Sequence, residues 1–130
     1  MSDVTLSPDV LVIGGGPAGA VASTVLADAG VRAVVLERER FPRYHVGESL
    51  LSATMPIFDA IGATDAIERH GFLRKPGGTF QWGRQAEPWS FFFREDPGGR
   101  PNAFHVLRSE FDHILLRHAR GLGEIGRAHV

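Results

Sequence analysis

Apolar positions along the chain follow three rhythms. Val10-Leu-Val-Ile13 and Ala33-Val-Val-Leu36 are short unbroken apolar runs, the pattern of strands buried in a parallel sheet. Between them the spacing predicts a helix over Pro17 to Ala29 with Gly30 as its stop, and strands over Asp9 to Ile13 and Ala33 to Leu36. Leu51, Met55, Phe58 and Ile61 recur at helical spacing, which predicts a helix over Leu50 to Ile61 ended by Gly62. Thr64 is placed to cap a short helix, Asp65 to His70. Gly71 to Pro76 reads as an irregular link with a turn at Pro76-Gly77-Gly78. Two aromatic-rich strands follow, Thr79 to Gly83 and Trp89 to Phe93. The turn Asp96 to Pro101 leads to an extended piece at Phe104 to Leu107. Ser109, with Asp112 three residues on, predicts an N-cap and a helix to about Ala119. The order gives an α/β fold that opens with a βαβ unit.

The junction between first strand and first helix carries the strongest chemistry. Gly14, Gly16 and Gly19 give G-x-G-x-x-G where the helix opens, and each has a separate reason to lack a Cβ: a tight turn, close approach to a pyrophosphate, and close packing of helix on strand. Free N–H groups and the helix dipole favour an anion there, and Pro17 suits a first turn that needs no donor. Glu37 ends the second strand after 17 intervening residues, at the spacing where a carboxylate accepts hydrogen bonds from a ribose diol. An acid at this point repels a 2′-phosphate, so NADP is not expected in this cradle. The fold class read from these residues is therefore α/β, a Rossmann-like βαβ start on a parallel sheet that cradles a dinucleotide.

The chain has 130 residues, enough for one modest domain, and 43% of them are hydrophobic, ordinary for a soluble fold. A formal charge of −1 gives no reason to expect nucleic acid or an anionic membrane as partner. Cysteine is absent, which excludes disulfides, thiolate metal sites and cysteine nucleophiles and suits a reducing, cytoplasmic setting. Met1-Ser-Asp-Val-Thr5 lacks the basic start of a secretory signal, and no apolar run is long enough to span a bilayer. His113 and His118 point to different helix faces and no acid completes a metal site with them. No metal is expected.

With these residues in view the chain resembles the FAD-dependent monooxygenase superfamily and, within it, the flavin-dependent halogenases of the tryptophan type. The markers are GGGPAG with Glu37, ERERFPRYHVGESLLSATMP at 37–56, RKPGGTFQWG at 74–83 and FHVLRSEFDHILLRHA at 104–119. The resemblance implies FAD rather than NAD, with its pyrophosphate over Gly14, Gly16, Pro17, Ala18 and Gly19 and its adenosine ribose on Glu37. It implies further cofactor contacts from Arg38, Arg43, Gly47, Ser49 and Arg108. A surface ion pair is the competing reading for each arginine, Arg40 included, and a helix cap is the competing reading for Ser49.

The resemblance also implies a catalytic lysine. Lys75, followed by Pro-Gly-Gly-Thr-Phe80-Gln-Trp82, matches the family's lysine ahead of an aromatic strand. Reduced flavin, oxygen and chloride give hypochlorous acid, which the lysine hydrogen-bonds or holds as a chloramine. Desolvation in a closed tunnel would lower its pKa towards neutrality, a role that arginine cannot fill. An exposed loop lysine is otherwise a solvated charge. Trp82, Trp89 and Phe91 to Phe93 read as core more than as substrate pocket, and Glu48 as an acid at ease near a helix start.

Family members are several times longer. The chain therefore reads as an N-terminal fragment, 1–123, of an FAD-binding domain. The segment Glu124-Ile-Gly-Arg-Ala-His-Val130 resembles a translated sequencing adapter and is expected to be non-native. The implied parent is a halogenase that uses FADH2 from a separate reductase, O2 and chloride on an electron-rich aromatic or pyrrole substrate, possibly carrier-bound. The fragment itself is expected to be inactive. Alternatives are a hydroxylase or a geranylgeranyl-reductase-like oxidoreductase on the same fold and, in another class, a non-catalytic nucleotide-binding module.

Overall fold

The two unbroken apolar runs pair as parallel strands. The computed structural model describes residues 7–84, 87–122 and 127–128. Its elements are β1 (Val10–Ile13), α1 (Pro17–Asp28), β2 (Ala33–Leu36), α2 (Met55–Ala60), α3 (Thr64–His70), β3 (Leu73–Lys75), β4 (Gly77–Phe80), β5 (Trp89–Phe92), β6 (Ala103–His105), α4 (Arg108–Leu122) and β7 (Arg127–Ala128). Met1 to Thr5, on which the expectation about a secretory signal rests, and all of the adapter-like tail except residues 127 and 128, lie outside the described residues. No described helix is long and apolar enough to cross a membrane.

The backbone divides into two units, Met1–Tyr44 with Ser109–Val130, and His45–Arg108. In the first, β1 and β2 run parallel with Val10 opposite Ala33 and Ile13 opposite Leu36, and β7 pairs on the far side of β2. Lying between two neighbours, β2 is the buried strand, with Ala33, Val34 and Val35 inside. On β1, Leu11 is 51% and Ile13 84% exposed. The helix α1 buries two hydroxyls, and each satisfies itself: Ser23 Oγ donates to the Gly19 carbonyl at 2.7 Å and Thr24 Oγ1 to the Ala20 carbonyl at 2.9 Å. Ala20, Phe111, Leu115 and Ala119 complete this core.

In the second unit, β3 and β6 pair antiparallel with Lys75 opposite Ala103, and β4 and β5 with Phe80 opposite Trp89. Met55, Phe58, Ile61, Ala63, Ile67, Phe93, Phe104 and Val106 form its core.

Several local expectations are corrected. The helix expected over Leu50 to Ile61 begins only at Met55, after a 3₁₀ turn at Ser52–Thr54. Pro56 sets that start, because a proline fits the first helical turn and nothing later, and Leu51 is left exposed. Ser49 consequently caps no helix; it bridges His105 in extended conformation. Thr64 is the first residue of α3 rather than its cap, its hydroxyl donating to Asp59 Oδ1 at 2.6 Å. The expected link Gly71 to Pro76 contains a strand, β3, and the glycine pair expected to turn lies in β4. A Cβ on Gly77 would strike the Phe91 carbonyl oxygen, so glycine is there for close strand approach rather than for a bend. Ser109 sits inside α4, which starts at Arg108 and runs three residues past Ala119. Of the aromatic run only Phe93 is buried; Trp82 and Trp89 are exposed, and Phe80 stacks with both Trp89 and Phe91, which tilt against each other.

Candidate functional site

The turn from β1 into α1 is built from backbone. Gly14 takes φ +104°, and its N–H donates to the Leu36 carbonyl at 2.8 Å, extending the β1–β2 ladder by one step. A Cβ at Gly19 would run into the Gly14 carbonyl oxygen, so the first turn of α1 packs on the strand end only as glycine. Gly16 is the N-cap of α1 and uses no side-chain cap, with Pro17 in the first turn. The first N–H groups of a helix have no partner within it, an arrangement that suits an anion.

Glu37 lies at the rim of this turn. Its Oε2 accepts the Gly15 N–H at 2.7 Å and its Oε1 the Glu39 N–H at 2.8 Å. Burial works to raise its pKa, but the Glu39 and Gly15 amides and the Arg43 charge outweigh it, and the carboxyl is held below its ordinary value. Glu37 is therefore an anion at neutral pH, fixed in orientation, with acceptor capacity left over for a diol.

Arg43 reaches the same turn from the loop after β2. Its Nη1 donates to Asp112 Oδ2 at 2.9 Å, its guanidinium stands 4.6 Å from the Phe41 ring centre, and a Cβ on Gly16 would lie 3.3 Å from Nη2. The Arg43 side chain is 11% exposed and that of Asp112 fully buried. Glu39 Oε2 is 3.1 Å from Nε, yet the buried Nε–H forms no hydrogen bond. The cradle glycines, Pro17, Ala18, Glu37 and Arg43 thus share one corner of the first unit. Arg38 is exposed beside it.

The remaining expected site residues belong to the second unit. Gly47 takes φ +102°, and Arg108 Nη1 donates to the Val46 carbonyl at 2.7 Å and the Gly47 carbonyl at 3.4 Å. Glu48 and Leu50, on either side of Ser49, bond the backbone of Val106 and Phe104. Lys75 closes β3, with Nζ donating to the Leu50 carbonyl at 3.0 Å and lying 5.2 Å from the Phe93 ring centre. It is half-buried rather than a free loop charge.

Two participants escape a reading of the sequence. Gly15 sits between two glycines of the motif, but its amide holds Glu37, and a Cβ there would crowd both Glu37 Oε2 at 3.3 Å and Phe41 at 3.4 Å. Asp112 reads as a partner for a helix cap, whereas it is the buried counter-ion of Arg43. Both Phe111 and Asp112 lie on the buried face of α4, and the sequence carries no signal that separates this aspartate from a cap partner.

Residues 7–128 match the family model described as FAD binding domain. Among curated relatives, the chain is 48% identical over 117 residues to the tryptophan 2-halogenase of Chondromyces crocatus, covering 90% of this chain and 22% of that protein. It is 44% identical over 123 residues to the flavin-dependent halogenase armH3 of Armillaria mellea, covering 94% and 24%. Among solved structures, the myxobacterial chondrochloren halogenase CndH superposes with a TM-score of 0.85 at 44% identity, over 92% of this chain and 28% of that one. A flavoprotein/dehydrogenase from Cytophaga hutchinsonii also gives 0.85, at 35% identity over 94% and 30%. The chain spans about a quarter of the length of the relatives it matches. It belongs to the FAD binding domain family and is homologous, over that span, to the flavin-dependent halogenases.

Proposed function

We propose that this chain is the adenosine-diphosphate-binding portion of a flavin-dependent halogenase. The observation that carries the reading is the corner in which a glycine turn, an ionised Glu37 and a buried Arg43 meet, in a chain whose relatives are halogenases. The residues fit FAD. Gly16 leaves room where a Cβ would meet Arg43, and the Arg43 Nε–H is buried with no hydrogen bond. Glu37 would orient the ribose diol, while the α1 N-terminus and Arg43 would neutralise the pyrophosphate.

When bound, reduced FAD supplies two electrons and chloride two more to reduce dioxygen, giving hypochlorous acid and water. Lys75 is the residue of this chain assigned to that oxidant. Its Nζ, already oriented by the Leu50 carbonyl and the Phe93 ring, donates a hydrogen bond to hypochlorous acid or, as the neutral amine, takes its chlorine as a chloramine, the Cl–O bond breaking and the oxygen leaving as water. The substrate is an electron-rich aromatic or pyrrole ring, and a separate reductase provides the FADH2. The tryptophan 2-halogenase relative supports the aromatic class. Alone, this chain is expected to bind FAD weakly and not to turn over, since exposed Leu11 and Ile13 mark an uncovered sheet face and β1 stands at the edge of its described sheet, both of which further segments of a parent protein would cover.

The test uses the full-length parent with reduced FAD, chloride and a panel of indoles, phenols and pyrroles. Chlorinated product that disappears in Lys75→Ala, with FAD still bound, is the expected result; absence of chlorination across the panel would overturn the assignment. The likeness to a flavoprotein/dehydrogenase at 35% identity favours one second reading, a hydroxylase or reductase on the same fold. Oxygenated or reduced product that is indifferent to Lys75→Ala would select it.

A further inference from the structure

We infer that Asp112 is a positioning residue of the nucleotide corner: it holds Arg43 so that Nη2 of the guanidinium faces the diphosphate position beside Gly16. The inference rests on the reading that this corner takes the diphosphate of FAD. Three nitrogens of Arg43 have three separate surroundings. Nη1 is committed to Asp112 at 2.9 Å, Nε lies beside Glu39, and Nη2 is the atom that a Cβ on Gly16 would approach to 3.3 Å. A guanidinium is planar, so fixing one edge fixes the direction of the other. The floor of the group is fixed too. Phe41 lies under the guanidinium at 4.6 Å, and its ring stacks with His113 at 6.3 Å. One step of α4, Asp112 followed by His113, therefore sets both the in-plane direction of Arg43 and the ring against which it lies.

Burying a carboxylate is costly, and a helix needs none beyond its first turn. Asp112 is fully buried, and its bond to Arg43 is charge-assisted. Its electrostatic effect on an incoming anion is unfavourable. Asp112, Glu39 and Glu37 surround a single guanidinium, and each carboxylate reduces the attraction of Arg43 for phosphate. The gain we assign to it is orientation, an arginine ordered before the ligand arrives. The two effects have opposite signs. Removing the charge while keeping the shape strengthens anion binding if the field dominates and weakens it if orientation dominates.

The experiment titrates adenosine and ADP separately into the full-length parent stripped of FAD, by calorimetry, for the unaltered protein, Asp112→Asn and Arg43→Lys. We expect ADP affinity to fall roughly tenfold in both variants, the scale of one charged hydrogen bond, with adenosine affinity unchanged. Arg43→Lys keeps the charge and the reach to Asp112 but has no second edge, so it decides the matter even if Asp112→Asn does not fold. Unchanged or tighter ADP binding in folded Asp112→Asn, or unchanged ADP binding in Arg43→Lys, overturns the inference. Parallel loss of adenosine and ADP does so as well, since a general structural role would weaken both. An unaltered protein that binds neither ligand overturns the nucleotide corner itself, and the role of Asp112 with it.

Discussion

The turn from β1 into α1 and the end of β3 present their polar groups in opposite ways. In the first, the polar atoms are backbone amides, and their positions follow from where a Cβ is forbidden: the Gly19 position is closed to any other residue by the Gly14 carbonyl, and Gly15 donates its amide to Glu37. In the second, the polar atom is the end of a long side chain. Lys75 is delivered by a three-residue strand and steadied by a single carbonyl and a ring. A site made of backbone is destroyed by whatever disturbs the fold, whereas a site made of one side chain can be removed with the fold left standing. The two regions should therefore separate stability from chemistry under substitution.

The largest effect expected is at Gly19. Gly19→Ala drives a methyl group into backbone that cannot move without parting α1 from β1, which costs about 3 kcal/mol. For a fold of this size that is a large fraction of the total stability. Gly77→Ala creates a similar collision with the Phe91 carbonyl, but a two-stranded ribbon opens locally at less expense, so about 1–2 kcal/mol is expected. Urea denaturation followed by far-UV circular dichroism checks both. Equal losses at the two glycines would erase the distinction between a turn that organises its unit and a ribbon that merely joins one.

What the sequence makes legible follows the same division. Strand, glycine turn, helix and Glu37 were readable because local rules act there without help from elsewhere: apolar runs form strands, and glycine marks positive φ or close approach. The second unit is built of three- and four-residue strands whose partners are distant in sequence, such as Leu73 with His105. No period emerges from three residues, so β3 looked like a link and Gly77-Gly78 like a turn. Asp112 was hidden for a related reason. Its partner, Arg43, is 69 residues away, and nothing in the spacing of a helix distinguishes a buried counter-ion from a cap.

Glu37→Gln is expected to have a smaller effect, and one that depends on pH. The folded carboxyl titrates below its unfolded value of 4.5. Its contribution is therefore complete above that value and is lost as pH falls through the lower, folded value. A glutamine keeps one acceptor for the two amides and has no charge to protonate. The group is partly solvated, so after allowance for screening the loss at neutral pH should be about 0.5–1 kcal/mol. Thermal melts from pH 7 to 3 should show the two proteins converging at the acid end. Parallel curves would mean that the ionised form of Glu37 does not favour the fold.

The smallest effect on stability, less than about 0.5 kcal/mol, is expected for Lys75→Met. The methionine stem retains contact with the Phe93 ring, and the Leu50 carbonyl that loses its donor stands at an intermediate position that water can serve. The argument turns on how little this change should do. If β3 exists to present an ammonium group, removing that group abolishes chlorination by the parent while denaturation midpoint and FAD content stay where they were. If Lys75 is instead a strut between β3 and the segment at Leu50, the midpoint falls by about as much as for Gly77→Ala and activity declines only in step with the folded fraction. Measuring midpoint and turnover on the same preparation separates a side chain that works on a substrate from one that works on its own protein.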